Sequence, residues 1–79
     1  MGLPAKEKEY ADRVRRFLKA ELKRADVSYA ELARRLNEHG LEETEVGIAS
    51  KLARGTFSAT FLLACLTVLG IEAAALATL

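Results

Sequence analysis

The stretch Val46–Gly55, VGIASKLARG, decides the fold, because its pattern predicts a short helix with two distinct faces. At about 100° per residue, one arc is apolar and holds Val46, Ile48, Ala49, Leu52 and Ala53. The opposite arc holds Gly47, Ser50, Lys51 and Arg54. Gly55 then stands where a left-handed residue often ends a helix. We therefore expect the apolar arc to pack inward and the cationic arc, which contains no acid, to face outward.

Two helices are predicted before this stretch. Ser28 and Glu31 form the S-x-x-E pattern of a capping box, and Val27 and Leu32 occupy the hydrophobic staple positions. This pattern predicts a helix over Tyr29–Glu38. Apolar residues at spacings of three and four predict a longer amphipathic helix over about 5–24.

The remaining helices follow from N-cap residues and apolar runs. Thr44 is the expected N-cap of the central helix, 44–54, and Ser58 that of a helix over about 59–69. The helix over 59–69 is apolar nearly all round, so we expect it in the centre of the core. A short fifth helix is predicted over 72–79. The whole chain, 1–79, is thus expected to be one all-α domain, a compact five-helix bundle.

Length and cysteine content exclude several classes of protein. Seventy-nine residues suffice for one small domain. A single cysteine, Cys65, and a single histidine, His39, leave no disulfide framework and no plausible zinc site. No apolar signal run precedes the charged residues of the first helix, so we expect a reduced, cytoplasmic protein. Residues 56–79 are interrupted at Gly70–Glu72, which argues against a membrane span.

The charges are unevenly distributed, although the net charge is only +1. Residues 6–24 carry eight Lys and Arg against four Asp and Glu, whereas residues 25–47 carry two against six. After Gly55 the one charged residue is Glu72. The basic first helix could be a solvated surface, an electrostatic arm for DNA flanks or, less favoured because acids interrupt it, a membrane-surface helix.

Several motifs resemble known helix-turn-helix proteins. Residues 29–36, YAELARRL, resemble the first helix of that motif in the phage-repressor-like (Cro/C1, or XRE) superfamily, and residues 48–58 resemble its recognition helix and following turn. The chain also resembles a small bacterial family known only as a domain of unknown function, through the motifs LKAEL, SYAELA, ETEV, SKLARG, TF and CLTVLG. The resemblance implies a lambda-repressor-like fold with its helix-turn-helix at about 28–55.

The resemblance also implies a set of DNA-binding residues. Those on the groove-facing side of the recognition helix would be Gly47, Ser50, Lys51 and Arg54. Tyr29 and Thr56 would lie near phosphates. Independently of the resemblance, Arg34 points outward from the second helix, where it could touch the DNA backbone or be a solvated surface residue.

Two departures from the superfamily pattern affect this site. Ala33 matches the position where the two helices of the motif cross, and Ala49 matches the position that seats the recognition helix. These two residues are sixteen apart, so the turn carries roughly six more residues than in the superfamily. Glu42, Glu43 and Glu45 also precede or open the helix, and acids there repel phosphate. The expected contacts therefore move toward Ser50–Arg54.

The sequence favours a DNA-binding transcriptional regulator that inserts helix 44–54 in the major groove of double-stranded DNA. A homodimer is expected, with residues 72–79 as a possible dimer element. The alternative is a protein-protein interaction module that docks through its apolar C-terminus or acidic turn. An enzyme is not expected, because no catalytic constellation, metal site or cofactor motif is present.

Overall fold

A computed structural model describes residues 5–72 of the chain, and this part contains four helices and no strand. They are α1 (Ala5–Ala25), α2 (Tyr29–Glu38), α3 (Glu45–Arg54) and α4 (Ala59–Leu69). The all-α prediction and the four helices expected before residue 72 are confirmed. The fifth helix predicted over 72–79 lies almost wholly outside the described residues.

Helices α2, α3 and α4 begin with the same device. The side-chain oxygens of Ser28, Thr44 and Ser58 accept the backbone N–H three residues on, at 3.0–3.1 Å. Each bond satisfies one of the donors that a helix start leaves without an intrahelical partner. The three predicted N-caps are therefore confirmed. In the capping box of α2, however, the Glu31 carboxylate pairs with Arg34 and Arg35 on its own helix.

All four helices contribute to the core. The fully buried side chains are Leu18 from α1, Leu32 and Leu36 from α2, Ile48 and Leu52 from α3, and Cys65 from α4. Burying one such leucine or isoleucine stabilises the fold by about 1.5–3 kcal/mol. The core therefore fixes α3 through its two large apolar side chains, which lie one helical turn apart.

Gly55 fixes the crossing of α3 and α1. It ends α3 with φ +70°, and a Cβ built on it would lie 2.9 Å from the backbone oxygen of Ala11. A side chain at this position would thus collide with the backbone of α1. Glycine is needed here both for the left-handed conformation and for the close approach.

The inward face of α3 differs from the predicted apolar arc. Val46 is 79% exposed and Ala53 is exposed, so the expectation that both face the core is wrong. Lys51 is half-buried instead of fully outward. The physical reason is the rotation of the helix: at about 100° per residue, Val46 lies about 160° and Ala53 about 140° from Ile48, so burial of Ile48 and Leu52 turns both residues outward.

No single helix within residues 5–72 is both long and apolar enough to cross a membrane. Helices α3 and α4 reach the required length and composition only together, and they are bent by 118° at their junction.

Candidate functional site

The outer face of α3, defined here as Val46, Ser50, Ala53 and Arg54, is the main exposed side of the predicted recognition helix, which also exposes Glu45 in its first turn. Arg54 Nη1 donates a hydrogen bond to Ser50 Oγ at 3.0 Å. No carboxylate among the described residues forms an ion pair with Arg54. The structure thus brings Ser50 and Arg54 together on the exposed side of α3, where the charge of Arg54 is not compensated by an ion pair within residues 5–72.

Lys51 lies at the side of α3 and is engaged within the protein. Its ammonium group forms an ion pair with Glu43 and lies 4.5 Å from the centroid of the Phe61 ring. The Glu43 side chain is only 9% exposed and that of Lys51 is 31% exposed. Lys51, predicted to face DNA, is therefore neutralised by the acidic turn.

The long turn between α2 and α3 is held by a pair of hydrogen bonds from one side chain. The Asn37 amide donates to the Glu43 backbone oxygen at 3.2 Å, and the Glu43 N–H donates to Asn37 Oδ1 at 3.1 Å. These bonds satisfy both backbone groups of Glu43 and aim its carboxylate at Lys51. The residues that lengthen the turn thus form an ordered connection that depends on Asn37, a contact that the sequence pattern did not reveal.

Gly47 has a structural reason to be small. A Cβ at this position would lie 3.0 Å from Thr44 Oγ1 and 3.5 Å from a Glu43 carboxylate oxygen. Thr44 Oγ1 is the acceptor that caps α3, so a larger residue would press on the N-cap. Gly47, predicted on the groove-facing side of the recognition helix, thus has a reason to be small that lies within the protein.

Arg34 and Tyr29, the two α2 residues predicted to contact DNA, have different surroundings from the residues on the outer face of α3. Arg34 is exposed but forms ion pairs with Glu31 and Glu38 on the same helix. Its hydrogen bond to Glu31 raises the pKa of Arg34, and the hydrogen bonds from Arg34 and Arg35 lower the pKa of Glu31 to about 2. Tyr29 is half-buried and packs against the core. Neither residue is placed beside Arg54 by any contact that the structure shows.

Thr56 follows the C-terminal end of α3 and is exposed. Together with Gly55 and Phe57 it borders one side of α1, in an open groove that Tyr10 and Val14 also line. The Ser58 hydroxyl nearby already accepts the Phe61 N–H as the cap of α4. Thr56 is therefore accessible, in the turn that separates α3 from α4.

Arg15 joins α1 to the C-terminal end of α3, a link that the sequence pattern did not predict. Its Nη1 donates to the Ala53 backbone oxygen at 3.2 Å, and its Nη2 contacts Asp12 at 2.7 Å. The carbonyl groups in the last turn of a helix lack intrahelical partners and carry partial negative charge, so a guanidinium group suits this position. No sequence signal identified the partner, because the two residues are 38 positions apart.

The residues with metal-binding or nucleophilic chemistry do not assemble into a site. Among residues 5–72 there is no group of three His, Cys, Asp or Glu side chains that could hold a metal ion. Burial raises the pKa of the Cys65 thiol to about 12, and the nearby Glu43 charge acts in the same direction. Cys65 is therefore protonated at neutral pH and functions as a core side chain.

An apolar groove lies between the C-terminal end of α2 and α4. It has a volume of about 310 Å³ and is lined by His39, Leu41, Thr60, Leu63, Ala64, Thr67 and Val68. Leu63 is 62% exposed at this groove. Helix α4 has no charged residue, so the side of the groove that it forms contrasts with the charged exposed sides of α1 and α2.

Comparisons with known proteins place the chain in a family without assigning it a function. No curated protein and no solved structure gives a significant match to the sequence. Residues 10–74 match the family described as Domain of unknown function (DUF6471), and this match covers all of α2, α3 and α4 and most of α1. The chain therefore belongs to the DUF6471 family.

Proposed function

We propose that the protein binds double-stranded DNA as a transcriptional regulator of the lambda-repressor-like type and inserts the outer face of α3 in the major groove. The observation that carries this proposal is the exposed patch of Ser50, Ala53 and Arg54. Its side chains are small around a single arginine, and that arginine has no carboxylate partner among residues 5–72.

The chemistry of this patch suits contact with base edges in the major groove of DNA. The major groove is about 12 Å wide and admits an α-helix. An arginine can donate two hydrogen bonds to O6 and N7 of guanine, and a serine hydroxyl can donate to or accept from any base. The small side chain of Ala53 leaves room for the helix to approach. Arg54 is thus the proposed base or phosphate contact, with Ser50 beside it.

The contact involves the second half of α3. Glu42 and Glu45 are exposed at its N-terminal end, where negative charge would repel phosphates. Gly47 is nearer to this acidic end than Arg54 is. This arrangement agrees with the expectation that the binding residues concentrate in Ser50–Arg54.

Lys51 and Arg34 are weaker candidates than Arg54. Glu43 compensates the charge of Lys51, and Glu31 and Glu38 compensate that of Arg34. To reach a phosphate, each side chain would have to give up an ion pair. Thr56 and Tyr29 stay proposed phosphate neighbours, since a neutral hydroxyl can donate a hydrogen bond to a phosphate without giving up an ion pair.

The test is fluorescence anisotropy with a labelled random-sequence duplex at low salt, followed by a salt titration. We expect the logarithm of the binding constant to fall linearly with the logarithm of the salt concentration. Arg54→Ala should weaken binding and reduce the magnitude of the salt slope by about 0.9 if Arg54 contacts phosphate. The matched control is Arg24→Ala, an exposed arginine of α1 that pairs with Glu21. If wild type does not bind at low salt, the proposal fails.

A homodimer is part of the proposal, because two-fold symmetric operators pair with two-fold symmetric proteins. The predicted dimer element, 72–79, lies almost wholly outside the described residues. Light scattering across a concentration series measures the mass directly. A constant monomer mass at the highest concentrations that remain soluble would contradict this part of the proposal.

The groove beside Leu63 supports a second candidate, a protein-protein interaction module. An exposed leucine at an uncharged groove is typical of a surface that packs against another apolar surface. This candidate predicts that wild type does not bind duplex DNA at low salt. It also predicts that the protein in solution has a mass above that of the monomer. Leu63→Glu should return the mass to the monomer value, whereas the matched change Val46→Glu on α3 should not.

A further inference from the structure

Three exposed cations of α1 have no ion-pair partner among the described residues. They are Arg16, Lys19 and Lys23, at spacings of three and four, so they lie along one side of the helix. We call them the α1 strip. Their spacing covers about 10 Å along the helix axis at 1.5 Å per residue. One strand of duplex DNA rises about 3.4 Å along the duplex axis per phosphate, so a helix that lies along that axis would span about three phosphates.

Helix α1 has two flanks that meet different neighbours. One flank, including Tyr10 and Val14, lines the groove formed with the turn after α3. The other flank begins at Arg15, whose guanidinium group donates to the Ala53 oxygen on α3. Lys19 follows Arg15 by four positions on that second flank, whereas Arg16 is turned about 100° further toward solvent. Arg15 thus joins the flank of α1 that carries Lys19 to Ala53, a residue of the outer face of α3.

The acid on this flank is already compensated. Asp12 contacts Arg15 at 2.7 Å and Lys8 at 3.7 Å. Glu21 is mostly buried beside Arg24, with which it pairs at 2.9 Å, on another side of the helix. The positive charge of the α1 strip is therefore not cancelled locally.

We propose that the α1 strip binds the sugar-phosphate backbone of duplex DNA next to the groove entered by α3. This inference rests on the proposed DNA-binding function and identifies a second, sequence-independent part of the same interface. Arg54 and Ser50 contact the groove, and the strip follows the neighbouring strand. Arg15 positions the two parts through its hydrogen bond to α3.

A membrane surface is the competing partner for a basic helix, and the structure disfavours it. A helix that lies in a membrane interface buries an apolar face in the lipid. Leu18 and Leu22 of α1 are instead buried in the protein core. The side of α1 that carries the strip exposes charged side chains and the small Ala20, with no large apolar residue to bury in lipid, which suits phosphates held at a surface by charge.

The experiment compares two double variants that remove the same charge from the same helix. Arg16→Ala/Lys19→Ala removes two strip cations, whereas Lys6→Ala/Arg24→Ala removes two cations that pair with Glu9 and Glu21. Binding to a 20-base-pair duplex is measured by anisotropy from low to high salt. Circular dichroism and urea unfolding verify that both variants are folded.

We expect the strip variant to bind roughly tenfold or more weakly at low salt, with a salt slope reduced by about 1.8, or 0.9 for each phosphate that the protein no longer neutralises. The control variant should keep a slope close to that of wild type. If wild type and Arg54→Ala behave as proposed but both double variants bind equally weakly, the strip is overturned and the α3 interface stands. If no form binds DNA, both proposals fail. Wild type binding to vesicles of anionic phospholipid, without binding to DNA, would also overturn the strip.

Discussion

The ammonium group of Lys51 lies over the ring of Phe61, 4.5 Å from the ring centroid, and so joins α3 to α4. The same ammonium group pairs with the Glu43 carboxylate from the turn. A cation over an aromatic face is worth about 0.5–1 kcal/mol where exposed and about 2 when desolvated. Lys51 therefore connects three parts of the fold, and its positive charge is used inside the protein.

Glu43→Gln should lower the free energy of unfolding by about 1.5–3 kcal/mol, the usual worth of a hydrogen bond to a charged group. The reason is that the carboxylate is nearly buried and Lys51 would be left without its counter-charge. Urea unfolding measures the change. Glu42→Gln is the control, because Glu42 is an exposed acid of the same turn, and it should alter stability by no more than about 0.5 kcal/mol.

The pairing of Glu43 with Lys51 can be isolated with a double-mutant cycle. Lys51→Met keeps the length and apolar stem of the side chain and removes its charge. The two single changes should cost more in sum than the double variant does, with a coupling of about 0.5–3 kcal/mol. Strict additivity would show that the two side chains do not stabilise each other.

Gly55→Ala should destabilise the protein by more than the cost of a left-handed alanine alone. The added Cβ would lie 2.9 Å from the Ala11 oxygen, which is backbone and cannot rotate away. Gly70→Ala is the matched control, because Gly70 ends α4 at φ +71° with nothing within 4 Å of the built Cβ. We expect about 1 kcal/mol for the control. We expect at least about 1 kcal/mol more for Gly55→Ala, since the backbones must separate.

Equal decreases of stability in these two variants would contradict the close approach of α1 and α3. Thermal unfolding followed by circular dichroism gives the comparison. For a domain of this size, 1 kcal/mol corresponds to about 4–8 °C in Tm. The difference between the two variants is therefore measurable even if each is only moderately destabilised.

Local chemistry made the helices predictable from the sequence. Ser28, Thr44 and Ser58 are N-caps because their short side chains reach a free N–H, and this requires no knowledge of the tertiary structure. Gly55 and Gly70 end helices for a similarly local reason. The four helices within residues 5–72 follow from these signals together with apolar spacing.

Contacts between distant residues made the site harder to predict. A helical wheel assigns Lys51 to the outer arc, but it cannot show that Glu43 and Phe61 converge on that side chain. Val46 is apolar and still exposed, because α3 needs only Ile48 and Leu52 to fill its share of the core. Periodicity gives the faces of a helix, whereas long-range packing decides how the helix is rotated.

The stability contributed by Glu31 should disappear as the pH falls from about 4.5 to about 2. Hydrogen bonds from Arg34 and Arg35 lower its pKa to about 2, against a usual value of 4.5. A lowered pKa in the folded state means that the contribution is complete above pH 4.5. It disappears as the carboxylate is protonated in the folded protein. The difference in stability between wild type and Glu31→Gln, measured by urea unfolding from pH 7 to pH 2, should shrink over that range.

High salt provides the control for Glu31. The carboxylate and both guanidinium groups are accessible to solvent, so 1 M NaCl should screen their attraction and reduce the difference at pH 7. A difference that is independent of both pH and salt would show that Glu31 stabilises α2 through helix propensity alone.

Cys65 should react with thiol reagents only when the core opens. Its side chain is fully buried and its pKa is raised to about 12, so at pH 8 only about one thiol in ten thousand would be ionised even if the reagent could reach it. Ala30→Cys adds an exposed thiol on α2 as an internal reference. Ellman's reagent should then give one fast phase and one slow phase, and urea should accelerate only the slow phase. Two fast phases in native buffer would contradict the burial of Cys65 and, with it, the position of α4 in the core.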